Sequence, residues 1–147
     1  MAAVSSLAGP GVAMVGSRTF ANRDVVRAAI ARVKVRYPHA VIHTGDADGA
    51  DQLIREEAAT AGVPCISHPA AWRRSDGSID RAAGHKRNPD IVNPCAILFA
   101  FYGPGPKSAG TSGSVRIARR NGISVYEYHD GGWTLRARRR DLWPPTL

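Results

Sequence analysis

The fold is decided by the stretch Gly11-Val12-Ala13-Met14-Val15-Gly16-Ser17-Arg18-Thr19-Phe20. Its first six residues carry no charge and end in glycine, a pattern typical of a buried strand in a parallel sheet. Gly16 lets the backbone approach an anion closely, Ser17 adds a hydroxyl, and Arg18 adds a guanidinium that can hold a phosphate through two parallel hydrogen bonds. The stretch predicts a first strand leading directly into an anion-binding turn, with a plain surface turn as the alternative.

Outward from this stretch, strand-like and helix-like segments alternate along the chain. Apolar residues are continuous in the short segments and recur at helical spacing in the longer ones. Strands are predicted at 11–16, 40–45, 63–68, 95–101 and 123–128, and helices at 22–36, 48–61, 81–92 and 111–121. This order favours right-handed βαβ units. The predicted fold class is therefore α/β, a Rossmann-like three-layer sandwich with a mostly parallel five-stranded sheet.

The length of 147 residues suits one domain, which we place at residues 11–129. Residues 1–10 are interpreted as an N-terminal extension and residues 130–147 as a basic tail, with a hairpin through Trp133-Thr134-Leu135 as an alternative for its start. No apolar run approaches the roughly 20 residues of a membrane helix. We therefore expect no membrane partner.

The two cysteines indicate the compartment. Cys65 and Cys95 lie in separate apolar runs and form no CxxC pair. Buried free thiols are the expected outcome, because such cysteines behave as small apolar residues. Free thiols and the absence of a signal-peptide pattern in residues 1–10 predict a cytoplasmic location.

A net charge of +8 favours anionic ligands. Arg136, Arg138, Arg139 and Arg140 crowd the tail, and a second basic stretch runs from Arg73 to Arg87. The tail is either a solvated chain end or a patch that binds nucleic acid. Both interpretations stay open.

A second glycine-rich turn follows the second strand. Gly45 and Gly49 bracket it, and the backbone N–H groups of the next helix would face a phosphate there. Asp48 is predicted to cap that helix, and Asp46 or Asp51 to contact a ribose or a base. These three aspartates do not have the spacing of an EF-hand loop and no glutamate closes the set, so no metal site is predicted.

Two further segments are expected at the same edge of the sheet, because ligands of α/β sheets bind beyond the carboxyl ends of the strands. His85, Lys86, Arg87 and Asn88 would reach over this edge from the third helix, with a basic surface face as the alternative. In the last segment the glycines and hydroxyls form a phosphate cradle at a helix N-terminus. It contains Gly110, Thr111 and Ser112.

The ordered set GSRTF (16–20), TGDADGAD (44–51), AGHKRN (83–88) and GT (110–111) resembles the YspA-like, cpYpsA-related branch of the SLOG superfamily. That superfamily includes the LOG-type phosphoribohydrolases and DprA. The resemblance spans residues 11–129, and Trp72 also matches the branch. It implies a Rossmann-like fold, a nucleotide or nucleotide-derived phosphorylated ligand, and a homodimer or higher homo-oligomer. The pocket residues it implies are Gly16, Ser17, Arg18, Gly45, Asp48, Gly49, Asp51, Arg87, Asn88, Gly110 and Thr111.

One position departs from the LOG pattern PGGxGTxxE, since the glutamate position falls on Ser114. A serine cannot supply the carboxylate used in N-glycosidic cleavage. The leading prediction is therefore a protein that senses, sequesters or carries the ligand, with no assigned catalytic residue and no cofactor. The alternatives are a LOG-like hydrolase in which Asp46 or Asp51 substitutes, and a DprA-like module for single-stranded DNA.

Overall fold

A six-stranded sheet in the order β3-β2-β1-β4-β5-β6 forms the middle layer of the computed structural model, which describes residues 9–136. The first five strands pair in parallel, and β6 pairs antiparallel with β5. The strands are β1 (Gly11–Gly16), β2 (Val41–Gly45), β3 (Cys65–His68), β4 (Cys95–Phe101), β5 (Ser124–His129) and β6 (Gly132–Arg136). The α/β class and the mostly parallel sheet are confirmed.

The predicted number of five strands is wrong by one. The β5–β6 hairpin turns at Asp130 and Gly131, whose φ angles are 52° and 78°. An Asp-Gly pair with two positive φ angles is a preferred two-residue hairpin turn, because its twist matches that of the flanking strands. The hairpin considered for Trp133-Thr134-Leu135 is therefore formed, and the sheet continues to Arg136.

Four helices connect the parallel strands: α1 (Arg23–Arg36), α2 (Ala50–Ala61), α3 (Ala83–Val92) and α4 (Ala109–Arg120). The side chain of Asn22 caps α1 by accepting a hydrogen bond of 3.3 Å from the Val25 backbone N–H. Gly62 ends α2 in the left-handed conformation that favours glycine. Helix α3 contains Pro89 and continues through it to Val92.

Two apolar layers pack on opposite faces of the sheet, because side chains alternate along a strand. Val12 and Met14 of β1 face α1 and α2, whereas Ala13 and Val15 face α3 and α4. Strands β1 and β4 lie at the centre of the sheet, and both are almost fully buried. This explains why their apolar runs predicted the strand bounds correctly.

The strand order reverses between β1 and β4, so the crossovers on either side of this point go to opposite halves of the sheet. The carboxyl ends of these two strands are therefore the place where a ligand-sized crevice is expected. The turn after β1 and the chain after β4 meet there. The Ser17 N–H donates to the Phe101 carbonyl at 2.9 Å.

Both cysteines are free thiols, with Cys95 buried in β4 and Cys65 half-buried in β3. Burial raises the pKa of Cys95 to about 12 and that of Cys65 to about 11. Both groups are therefore protonated at neutral pH. Within residues 9–136, none of the helices has the length and apolarity needed to cross a bilayer. Most of the predicted N-terminal extension, and the tail arginines after Arg136, lie outside the described residues.

Substituting Gly49 tests how the turns around the crevice fit together. Gly49 precedes α2 with a φ of 75°, and a Cβ on it would lie 2.3 Å from the Arg18 carbonyl oxygen. Gly49→Ala is therefore expected to lower the free energy of unfolding by about 3 kcal/mol or more, measured by urea denaturation.

Gly77→Ala is the matched control, since Gly77 has a φ of 90° with nothing within 4 Å of an added Cβ. It should lose only the backbone strain of a left-handed alanine, about 1–2 kcal/mol. Equal losses in the two variants would contradict the close packing of Gly49 on Arg18.

Candidate functional site

A cavity of about 450 Å³ opens at the carboxyl ends of β1 and β4. Its walls come from the turn after β1, the start of α2, the face of α3, the loop after β4 and the first turns of α4. This volume is within the range of small-ligand sites, roughly 300–1,000 Å³. The four predicted segments therefore meet at one cavity, although not every predicted residue lines it.

A chain of hydroxyls lies at the α4 end of the cavity. The Ser17 hydroxyl donates to the Ser108 hydroxyl at 3.4 Å, and the Ser108 hydroxyl donates to that of Thr111 at 2.8 Å. Ser108 is the N-cap of α4, and no side chain caps the helix. The positive end of the helix dipole is thus placed beside three hydroxyls that line the same cavity.

Asn88 connects α3 to this end of the cavity. It is buried, and its side-chain amide donates to the Gly110 carbonyl at 3.2 Å. This hydrogen bond fixes the start of α4 relative to α3. Asn88 therefore has a positioning role in addition to lining the cavity.

Arg87 supplies a buried cation. Its side chain is only 10% exposed, and one terminal nitrogen donates to an Asp46 carboxylate oxygen at 2.9 Å and to the His68 carbonyl at 2.6 Å. Gly45 lies directly behind it, and an added Cβ there would be 3.0 Å from the guanidinium. Gly45 and Asp46 thus position Arg87, and neither of them lines the cavity.

Asp51 is the one carboxylate among the described residues that line the cavity. It lies in the first turn of α2 and accepts a hydrogen bond of 3.3 Å from the Ala47 N–H. Burial raises the pKa of Asp51 to about 6, although this hydrogen bond and the charges of Arg87 and Arg55 act in the opposite direction. A carboxyl with such a pKa exchanges its proton close to neutral pH.

The loop after β4 is held over the cavity by Glu127, a buried carboxylate on β5. The Tyr102 hydroxyl donates to Glu127 at 3.0 Å, and the Lys107 ammonium lies 3.4 Å from the same oxygen. Pro104 and Pro106 of this loop line the cavity. The loop is therefore fixed to the sheet at its base and near its end.

An aromatic side chain lines the cavity near the start of α3. The indole of Trp72 lines the cavity and packs against Gly84 at the start of α3. The guanidinium carbon of Arg18 lies 6.0 Å from the centre of the indole ring. This is a cation–π distance, so Arg18 and Trp72 form one contact at the edge of the cavity.

Most of the predicted site residues line the cavity: Gly16, Ser17, Arg18, Asp51, His85, Arg87, Asn88, Gly110 and Thr111. Six do not: Gly45, Asp46, Asp48, Gly49, Lys86 and Ser112. Lys86 instead pairs with Asp80 at 2.6 Å, and Ser112 hydrogen-bonds with the Tyr102 hydroxyl. The predicted cap at Asp48 is wrong, because Gly49 occupies the N-cap position of α2 and no side chain caps that helix.

The sequence did not identify Thr19, Arg81 and Ser108 as lining residues. The sequence contains a signal for Ser108. It belongs to the Pro/Gly-rich loop at 103–109, which follows a central strand at the edge of the sheet where ligands bind. Ser114, at the position of the LOG glutamate, is buried and lines the cavity. Within residues 9–136, no group of three or more His, Cys, Asp or Glu side chains is placed to hold a metal ion.

The fold and the cavity define a Rossmann-like α/β protein with a ligand-sized crevice at its switch point. The model of the YspA, cpYpsA-related SLOG family matches residues 10–75, less than half of the chain, and bears out the predicted resemblance over that segment. The matched segment contains the turns after β1 and β2 and also Trp72. The segments around Arg87 and Thr111 lie beyond it.

Solved structures share the fold at low sequence identity. DNA processing protein A from Streptococcus pneumoniae has a TM-score of 0.65 at 19% identity, over 80% of this chain and 50% of that one. DNA processing protein A from Helicobacter pylori, described for its single-stranded DNA binding mode, has a TM-score of 0.64 at 16% identity, over 84% and 67%. The protein TM1055 has a TM-score of 0.57 at 15% identity, over 79% and 72%.

This chain spans half the length of the Streptococcus pneumoniae protein it matches. No curated protein matches the sequence.

The pKa of Asp51 makes stability depend on pH. Because the folded protein binds this proton more tightly than the unfolded chain, whose pKa is near 3.8, the stabilisation is full at low pH and is lost as the pH rises toward 6. Asp51→Asn removes this loss. The difference in free energy of unfolding, variant minus wild type, should therefore increase by about 2 kcal/mol as the pH rises from 4 to 7.5.

Urea denaturation at a series of pH values measures this difference. Asp90→Asn, a substitution of an exposed carboxylate on α3, is the matched control. If the free energies of unfolding of the wild type and Asp51→Asn change with pH in parallel over this range, Asp51 does not have a raised pKa in the folded protein.

Proposed function

We propose that the protein binds a nucleotide or a nucleotide-derived phosphorylated ligand in this cavity, and so senses, sequesters or carries it. The observation that carries the proposal is the uncapped N-terminus of α4 beside the hydroxyls of Ser17, Ser108 and Thr111. Backbone N–H groups at a helix N-terminus and hydroxyls are the donors that phosphate oxygens accept. They all belong to one wall of the cavity.

The charges of the lining support an anionic ligand. Among the described residues that line the cavity, three are arginines, Arg18, Arg81 and Arg87, and one is a carboxylate, Asp51. Arg87 is held by Asp46 and by the His68 carbonyl, so its position is set before a ligand arrives. Arg18 is exposed and is free to turn from Trp72 toward a phosphate. The lining thus combines a fixed cation with a movable one.

Binding is favoured over turnover by the residue at the LOG glutamate position. Ser114 lies in the wall of the cavity, where a hydrolase of that pattern needs a carboxylate. No glutamate occurs among the described lining residues. A binding role needs no such group.

Arg18→Gln tests the anion site without disturbing the core, because Arg18 is exposed. Calorimetry on the full chain against nucleoside 5′-monophosphates, ADP-ribose and NAD should show binding by the wild type. Loss of one charge-assisted contact should weaken it by about tenfold or more.

Arg120→Gln, at the far end of α4, removes an exposed arginine away from the cavity and should leave the affinity unchanged. A folded wild type that binds none of these ligands at millimolar concentration would overturn the proposed function.

The second candidate function is hydrolysis of the N-glycosidic bond of a nucleotide, and the observation that favours it is Asp51. Its pKa of about 6 lets it hold a proton in the cavity near neutral pH, as a general acid does. In this reaction the bond between the base and the sugar breaks, the base leaves with a proton from Asp51, and water adds its oxygen to the sugar carbon. The proton that water releases restores Asp51.

Chromatography of a nucleoside 5′-monophosphate after incubation with the protein tests this candidate. Free base should accumulate with the wild type and with Asp90→Asn, and should fall by at least a hundredfold with Asp51→Asn. Turnover that survives in Asp51→Asn removes Asp51 from the mechanism. Absence of free base with the wild type rejects hydrolysis.

Two sequence-based expectations stay predictions. The single-stranded DNA alternative is motivated by the net charge of +8, the arginine tail and the resemblance to DprA. Of the tail arginines, Arg138, Arg139 and Arg140 lie outside the described residues. The homodimer or higher homo-oligomer is implied by the SLOG resemblance alone.

A further inference from the structure

We propose that the indole of Trp72 is the stacking platform for the base of the ligand. The ligand class is then nucleoside 5′-phosphates that carry a base, rather than sugar phosphates. This inference rests on the proposed binding function. It assigns the base of the ligand to the part of the cavity that the phosphate does not occupy.

The indole stands on a short hairpin, which we define as residues 72–80. Arg73 and Ile79 form an antiparallel bridge, and the Asp80 N–H donates to the Trp72 carbonyl at 2.6 Å. This segment lies between the predicted strand 63–68 and the predicted helix 81–92, where no element was predicted. Its backbone is in fact paired directly at Trp72.

Asp80 ties the hairpin to α3. Its carboxylate accepts a hydrogen bond of 3.0 Å from the Ala82 N–H and lies 2.6 Å from the Lys86 ammonium. Asp80 is buried, whereas the Lys86 side chain is 67% exposed. The hairpin that presents Trp72 is therefore fixed at the start of the helix that carries Arg87.

The ring is placed as a wall rather than as core. Trp72 is half-buried, and its edge packs on Gly84, where an added Cβ would lie 3.2 Å from the indole. Trp133 differs, since its ring is packed among the rings of Phe99 and Phe101 at centroid distances of 5.9 and 5.7 Å. Trp72 thus keeps a ring surface toward the cavity.

Arg18 marks the face of the indole that a ligand can use. Its guanidinium carbon lies 6.0 Å from the ring centre, so this face is open enough to accept a planar cation. A planar base stacks on such a face by the same geometry. Because Arg18 is exposed, it can leave the ring and pair with the phosphate when the base takes its place.

The two halves of the cavity then divide the ligand. The hydroxyls and the uncapped helix lie at the start of α4, whereas Trp72 contacts the start of α3. A ligand with a phosphate alone would use only the first half. The open aromatic face is explained by a second, planar group.

Binding of matched ligands with and without a base tests the proposal. Calorimetry on the full chain compares adenosine and guanosine 5′-monophosphates with ribose 5-phosphate. The wild type should bind at least one nucleotide about tenfold or more tighter than ribose 5-phosphate. Trp72→Leu should remove most of this difference, because it removes the stacking surface.

Trp72→Phe is the matched control, since it keeps an aromatic face and should retain most of the preference for the nucleotide. Equal weakening of both ligands by Trp72→Leu, or equal binding of both by the wild type, would overturn the stacking platform while the phosphate site stands. A wild type that binds neither would overturn the proposed function and this inference with it.

Discussion

Ser17 holds together the segments that form the cavity. Its N–H donates to the Phe101 carbonyl at the end of β4, and its own carbonyl accepts a hydrogen bond of 3.1 Å from Ala50 at the start of α2. Its hydroxyl accepts from the Gly103 N–H at 3.0 Å and donates to Ser108, the N-cap of α4. One buried residue thus connects β1, α2, β4 and α4, and the shape of the crevice depends on this set of short contacts.

The close packing of these segments also determines how the charged groups of the cavity are buried. Asp51 follows Ala50 directly, so the packing of α2 on the first turn also buries the carboxyl and raises its pKa. The Arg87 side chain is only 10% exposed as well, but one terminal nitrogen donates to Asp46 and to the His68 carbonyl, whereas its buried Nε has no hydrogen-bond partner. A buried cation with partners keeps its place, whereas a buried acid with few partners gains a proton more easily. The two groups therefore respond to the same burial in different ways.

Much of this arrangement follows from the sequence, and the exceptions have physical causes. The runs at Gly11–Gly16 and Cys95–Phe101 predicted their strands correctly, because central parallel strands are buried on both faces. Periodicity places Lys86 and Arg87 on one helix but does not decide which of two neighbours faces the cavity. Lys86 pairs with Asp80 outside the cavity, and Arg87 is the neighbour that lines it. Asp48 was predicted as a cap, but the positive φ at that point requires glycine, and Gly49 provides it.

The hairpin of residues 72–80 has a consequence for how such a protein diverges. It adds no strand to the central sheet, and Asp80 is its link to the start of α3. Its sequence and length can therefore drift without disturbing strand pairing or the hydroxyls beside α4. A lineage can in this way retain an inherited anion-binding end while it acquires new ligand preferences through a separate, replaceable segment.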